Sequence, residues 1–184
     1  MSIGTLLAVV LEDVARGPVE GEDNDWITEN IIRPAGMDGT PKNTSYCGMT
    51  VQRWLRLSGM ADTDGMASVG KILFNWAPRV GADIRDHLTA DRPPRAGDII
   101  IHQDGPNSWH GHVMLAVGSC PDTGRVLVAE GNHSKSMGPS GERYYDGTLG
   151  EDLERRQGIG LRWLAMSDDY ISYWVTPPPF LVLK

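Results

Sequence analysis

Four residues in the sequence have the types and spacing of a nucleophilic site. Cys47 stands at the predicted start of a helix, where backbone N–H groups and the helix dipole stabilise a thiolate. His112 follows a glycine and opens an apolar segment that predicts a buried strand. Glu130 and Asn132 end the next predicted strand and share one face of it. A thiol, an imidazole and a carboxylate or amide, in this chain order, predict nucleophilic cysteine catalysis.

Each of these residues also has a purely structural interpretation. Cys47 would serve as a small buried apolar residue or form a disulfide with Cys120. Glu130 would be a solvated charge at a strand end, and Asn132 a turn residue. We favour the catalytic interpretation because the thiol, the histidine and the acid occur in the expected chain order, each at the end of a predicted helix or strand. Glu130 is preferred to Asn132 as the third group because a carboxylate stabilises a cation better than an amide does.

The histidines near the predicted strand leave two alternatives open. His110 has the same side-chain parity as His112 and is the second candidate for the base. The pair would instead bind a metal ion if a third ligand lay nearby, for which the candidates are His102, Asp104 and His133. We expect no metal and no other cofactor, because the acidic stretch at residues 20–25 also lacks the spacing of an EF-hand.

Short motifs around these residues resemble those of the CHAP (cysteine, histidine-dependent amidohydrolase/peptidase) family, in the papain-like, NlpC-type superfamily. The motifs are Tyr46-Cys47, Gly97-Asp98, Gly111-His112-Val113 and Glu130-Gly131-Asn132, and the resemblance spans residues 3–134. It implies a papain-like α+β domain with N-terminal helices packed on a small antiparallel sheet. It also implies an enzyme that cleaves amide bonds in bacterial peptidoglycan.

Two loops supply the remaining candidates for the site. A papain-like site places a polar side chain a few residues before the nucleophile, where it helps to hold the oxyanion beside the backbone N–H of the cysteine. Asn43, Ser45 and Tyr46 are the candidates for that role. Trp109 and His110, just before the strand of His112, are expected to form part of the rim of the substrate cleft.

The elements that must position these residues follow from hydrophobic periodicity. An apolar stripe predicts a helix over residues 3–16, and a second helix begins at Cys47, capped by Thr44 or Ser45. Strands are predicted at residues 98–102, 111–117 and 125–130, joined as an antiparallel meander. Further strands at residues 159–166 and 170–175 would close the sheet. We therefore predict one domain over residues 1–184, in which residues 135–184 are an extension that completes the sheet.

Composition excludes several classes of partner. The net charge of −7 argues against nucleic acid, which requires a basic surface. No segment approaches the ~20 apolar residues of a membrane span, and the N-terminal sequence lacks the features of a signal peptide. We expect a monomer that is made in the cytoplasm and acts in the periplasm or cell wall after delivery.

Several functions are consistent with these expectations. We favour a phage lysin or virion-associated lysin, with the peptides of peptidoglycan as substrate and a virion component as a possible partner. An injected antibacterial amidase with an immunity protein is the alternative. A papain-like deamidase or transferase, or a structural module without turnover, also remains open.

Overall fold

The computed structural model describes residues 2–18, 20–134, 157–167 and 170–178, and shows an α+β fold. Its α-helices are α1 (Ile3–Arg16), α2 (Asn24–Ile27), α3 (Cys47–Leu57) and α4 (Ala77–Val80). The π-helical segment Thr28–Ile32 follows α2, and a second one, Lys71–Trp76, precedes α4. Short 3-10 turns lie at Arg33–Ala35, Pro41–Asn43 and Pro121–Thr123. The strands are β1 (Asp83–Asp86), β2 (Ile99–Gln103), β3 (Gly111–Cys120), β4 (Arg125–Ser134), β5 (Gln157–Ala165) and β6 (Tyr173–Thr176).

All six strands form one antiparallel sheet in the order β1-β6-β2-β3-β4-β5. The predicted meander of β2, β3 and β4 is confirmed. β5 and β6 join the same sheet, and β6 is inserted between β1 and β2. No strand was predicted from the sequence at Asp83–Asp86, so β1 was missed. Residues 135–156 lie outside the described part of the chain.

The sheet is buried on both faces. In β2, Ile99 and Ile101 belong to a core shared with the helices, whereas Ile100 faces a second core on the opposite side. This alternation follows from the two-residue period of a strand, and burial on both faces explains the uninterrupted run of isoleucine. The first core holds the apolar side of α1 and α3. The second is built from strands and loops only, among the residues described, and includes Met114 and Trp174.

A buried carboxylate joins the two longest helices. Asp13 of α1 is 4% exposed and accepts hydrogen bonds from Arg53 Nε (2.8 Å) and Trp54 Nε1 (2.9 Å) of α3. Arg53 also donates to the carbonyl of Asn30 and lies over the ring of Trp26. Because a buried charge is stable only when it is paired, this cluster fixes α3, and with it Cys47, relative to α1.

The Gly97-Asp98 motif has a structural role in this fold. The Asp98 carboxylate is 2% exposed and accepts hydrogen bonds from the Arg92 guanidinium (2.7 Å), the backbone N–H of Arg95 (2.8 Å) and the Thr176 hydroxyl (2.7 Å). It therefore ties the loop before β2 to the end of β6.

None of the helices in the described ranges combines the length and apolar character that crossing a bilayer requires.

Candidate active site

The first turn of α3 presents Cys47 at the edge of the helical layer, against β3 and β4. Tyr46 is the N-cap residue and no side chain caps the helix, so the predicted capping by Thr44 or Ser45 is wrong. Ser45 instead places its hydroxyl oxygen 3.8 Å from Cys47 Sγ. Cys47 and Cys120 are both free thiols, so the disulfide alternative is not realised.

Close backbone packing places His112 at the start of β3. Gly111 has φ of 143°, and a Cβ at this position would lie 2.0 Å from the carbonyl oxygen of His102. Only glycine fits there, and it sets the direction in which the next side chain leaves the strand. His112 Nε2 lies 2.7 Å from Glu130 Oε2, and its ring is also hydrogen-bonded to the Cys47 thiol. With Nε2 bound to the carboxylate, Nδ1 is the ring nitrogen left for the sulfur.

Electrostatics favour the ionised form of the thiol and imidazole. Burial raises the pKa of the Cys47 thiol, but the hydrogen bond and charge of His112, the backbone N–H of Val113 and the Ser45 hydroxyl outweigh it. The pKa of Cys47 therefore lies below its ordinary value. Burial lowers the pKa of His112, yet hydrogen bonds to Cys47 and Glu130 and their negative charges raise it to about 10. The site thus stabilises a thiolate–imidazolium pair, the reactive form of a catalytic cysteine.

Glu130 is completely buried and has a second cationic neighbour, which the sequence did not reveal. Arg162 of β5 is also buried, and its Nε lies 2.8 Å from Glu130 Oε1. The two atoms are at ion-pair distance, but the contact does not meet hydrogen-bond geometry. Arg162 further donates through Nη2 to Met114 Sδ (3.2 Å) and lies over the Tyr170 ring. The only signal in the sequence was an arginine inside an apolar, alternating segment.

Asn132 contacts Ser45, the residue whose hydroxyl lies beside Cys47. It has φ of 58°, one of two positive values among the described non-glycine residues, and its Nδ2 donates to Ser45 Oγ at 3.0 Å. Because the serine oxygen accepts this bond, its own proton is free to point at Cys47 Sγ. The two candidates for the third group therefore have different contacts: Glu130 binds the imidazole, and Asn132 orients Ser45.

The other predicted site residues divide between core and surface. Tyr46 is fully buried, so its side chain packs beneath the site and does not face a substrate. Burial raises the pKa of its hydroxyl. Asn43 folds back to accept from the backbone N–H of Thr40 and also lines a pocket. Trp109 lies in the loop that leads to β3, is 49% exposed and packs against Phe74.

His110 is exposed in the same loop. Its described hydrogen bonds are made by the backbone, which donates to Ser108 Oγ and accepts from the Asp104 N–H. His102 uses Nδ1 at 2.9 Å from the Tyr170 carbonyl, and its Nε2 lies 3.1 Å from Asp104. Within the described ranges, no group of three or more His, Cys, Asp or Glu side chains is arranged to hold a metal ion.

A pocket of about 400 Å³ lies beside Ser45, whose hydroxyl is 3.8 Å from Cys47 Sγ. Its lining also includes Met49 and two exposed residues of opposite charge, Asp38 and Lys71. Its size lies within the roughly 300–1,000 Å³ of small-molecule sites. The lining combines apolar side chains with one charge of each sign.

Comparisons with known proteins identify structural relatives only. No family model and no curated protein matches the sequence. The fold is similar to that of Ly7917. The crystal structure of Ly7917 superposes with a TM-score of 0.52 at 15% identity, over 97% of this chain. A second crystal structure, of Ly7917 with the hydrolyzing product of MDP, gives a TM-score of 0.48 at 15% identity. This chain spans 63% of the length of the Ly7917 chain.

Proposed function

We propose that this protein is a cysteine amidase or endopeptidase of papain-like, CHAP type that cleaves amide bonds in bacterial peptidoglycan. The observation that carries the proposal is the hydrogen-bonded series from Cys47 through His112 to Glu130, which begins at a helix start. It supplies a nucleophile, a base and a group that orients the base, which together are the requirements for acyl transfer from an amide.

The mechanism follows from the contacts of each residue. The Cys47 thiolate attacks the amide carbonyl, and the developing oxyanion is stabilised by backbone N–H groups at the uncapped start of α3. The Ser45 hydroxyl, held by Asn132, lies 3.8 Å from the sulfur and is placed to assist. His112 donates its proton to the leaving amine and then removes one from the water that releases the acyl group.

Peptidoglycan as the substrate rests on two supports besides the thiol. The motifs around the site resemble those of the CHAP family. Ly7917, whose fold is similar, has been crystallised with the hydrolyzing product of MDP, and MDP is a peptidoglycan fragment. The pocket lined by Asp38 and Lys71 would accept the ammonium and carboxylate groups of a stem peptide.

Purified sacculi test the proposal directly. Incubation with the wild-type protein should release peptides or disaccharide-peptides, and their masses identify the amide that is cut. Cys47→Ala should release nothing, while the matched variant Cys120→Ser should behave as wild type because Cys120 lies at the far end of β3. Release by Cys47→Ala would refute the cysteine mechanism. Intact sacculi, with Cys47 still reactive, would exclude this substrate and favour the deamidase or transferase.

For the biological setting we favour a phage lysin or virion-associated lysin. Expression with export to the periplasm should lyse Gram-negative cells, whereas cytoplasmic expression should leave them growing. The injected amidase predicts the same lysis, but also a neighbouring gene whose product suppresses it. Normal growth with exported, folded protein would contradict both settings.

A further inference from the structure

Arg162 and His112 contact opposite oxygens of a single buried carboxylate. His112 Nε2 lies 2.7 Å from Glu130 Oε2, and Arg162 Nε lies 2.8 Å from Oε1. The side chains of Arg162 and Glu130 are 2% and 0% exposed. Glu130 therefore bridges two cationic groups, and the second one comes from β5, more than 100 residues beyond the nucleophile.

We propose that Arg162 is a positioning residue of this site, which keeps Glu130 ionised and turned towards His112 so that the Cys47–His112 ion pair forms.

Burial of the Glu130 carboxylate is unfavourable by itself. A carboxylate removed from water binds a proton unless a cation lies beside it. A neutral Glu130 would no longer stabilise the imidazolium, and the thiol would keep its proton. Arginine suits the task because it stays charged at every pH that proteins experience. The charges then alternate in sign along Cys47, His112, Glu130 and Arg162, and the net charge of the four side chains is zero. This neutrality lowers the cost of burying them together.

The remaining neighbours hold Arg162 in place without replacing its charge. Its Nη2 donates to Met114 Sδ on β3, and its guanidinium lies 4.9 Å from the centroid of the Tyr170 ring. Tyr170 in turn stacks on His102 of β2, with ring centroids 4.1 Å apart. His102 Nε2 lies 3.1 Å from Asp104. Together with His112 and the Cys47 thiolate, the titratable groups that these contacts connect to the Arg162–Glu130 pair are Tyr170, His102 and Asp104.

The reactivity of Cys47 towards iodoacetamide measures this effect without any substrate. The experiment uses a Cys120→Ser background, so that Cys47 is the only thiol, and follows the alkylation rate against pH by mass spectrometry. Arg162→Met removes the charge at similar volume, next to Met114, and Arg162→Lys is the matched control that keeps it. We expect Arg162→Met to alkylate about tenfold more slowly at pH values below the wild-type thiol pKa read from its own profile, since a one-unit rise in that pKa lowers the thiolate fraction tenfold there. Arg162→Lys should recover most of the rate.

A second pair of variants separates positioning from packing. If Arg162 acts through Glu130, Arg162→Met should change the alkylation profile less than about twofold when Glu130 is already glutamine. A folded Arg162→Met protein with the wild-type profile would overturn the proposal, and so would a full tenfold effect in the Glu130→Gln background. If Arg162→Met by itself does not fold, the alkylation profile of Glu130→Gln is compared with that of the Glu130→Gln/Arg162→Met double variant. Matching profiles support the proposal, and differing profiles overturn it.

The inference rests on the proposed thiol chemistry and is independent of the proposed substrate. A shifted alkylation profile in a protein that leaves sacculi intact would retain Arg162 as a positioning residue and reject peptidoglycan.

Discussion

Replacing Glu130 by glutamine removes one charge from the buried pair with His112 and keeps the shape of the side chain. The carboxylate and imidazolium charges are about 4 Å apart for an N···O contact of 2.7 Å. At an effective dielectric constant of 20 their interaction is about 4 kcal/mol, equivalent to roughly three pKa units. The amide oxygen of the introduced glutamine still accepts a hydrogen bond from the imidazole N–H, and this bond recovers part of the lost interaction energy. We therefore expect the pKa of His112 to fall by about two units, from about 10 to roughly 8, so that kcat/KM falls roughly hundredfold above about pH 10 and little at pH 6.

The matched comparison is Asn132→Ala. This variant loses the bond to Ser45 Oγ, worth about 1 kcal/mol for a neutral hydrogen bond, so kcat/KM should fall less than about tenfold. The assay is kcat/KM on solubilised peptidoglycan fragments between pH 5 and 11, with folding checked by circular dichroism at each pH. That check matters because Glu130→Gln leaves Arg162 buried without its anion. A larger loss above about pH 10 in Asn132→Ala than in Glu130→Gln would refute the assignment of Glu130 as the third group.

Activity should follow a bell-shaped pH profile: it rises as Cys47 ionises below the ordinary thiol pKa and falls as His112 loses its proton near pH 10. A rise only above about pH 8.5 would show an unperturbed thiol. Asp13→Ala should lower the free energy of unfolding in urea by about 3 kcal/mol, because Arg53 is left largely buried without its anion. A loss below about 1 kcal/mol would show that solvent already screens the pair. Lys71→Met should raise KM for fragments with a free carboxylate and leave kcat unchanged; an unchanged KM would place the substrate outside the pocket.

Local sequence patterns were sufficient to predict the helix and strands that carry Cys47, His112 and Glu130. The 3.6-residue period and the apolar runs of α1, α3 and β2 to β4 reflect burial against neighbours, which periodicity detects well. β1 escaped detection because it is short and carries three charges in four residues, a composition typical of an edge strand and also of a loop. The insertion of β6 beside β1 depends on pairing between distant segments, which local sequence does not encode.

The same limit explains the errors within the site. Thr44, Ser45 and Tyr46 are all polar residues before a helix, and their types alone do not distinguish a capping, a substrate-facing and a buried side chain. Tertiary packing assigned Ser45 to the thiol and Tyr46 to the core. Arg162 was visible as an arginine in an apolar strand, but its partner carboxylate was evident only once β4 and β5 were paired.

The position of β6 has a consequence for how the protein is made. Because Tyr173–Thr176 lies between β1 and β2, the two strands cannot join one sheet until the ribosome has released the chain through at least residue 176. A nascent chain that ends after β5 holds Cys47, His112, Glu130 and Arg162, yet the free edge of β2 and part of the core are exposed. Premature termination before β6 would therefore yield an aggregation-prone product, even though every residue of the candidate site is present.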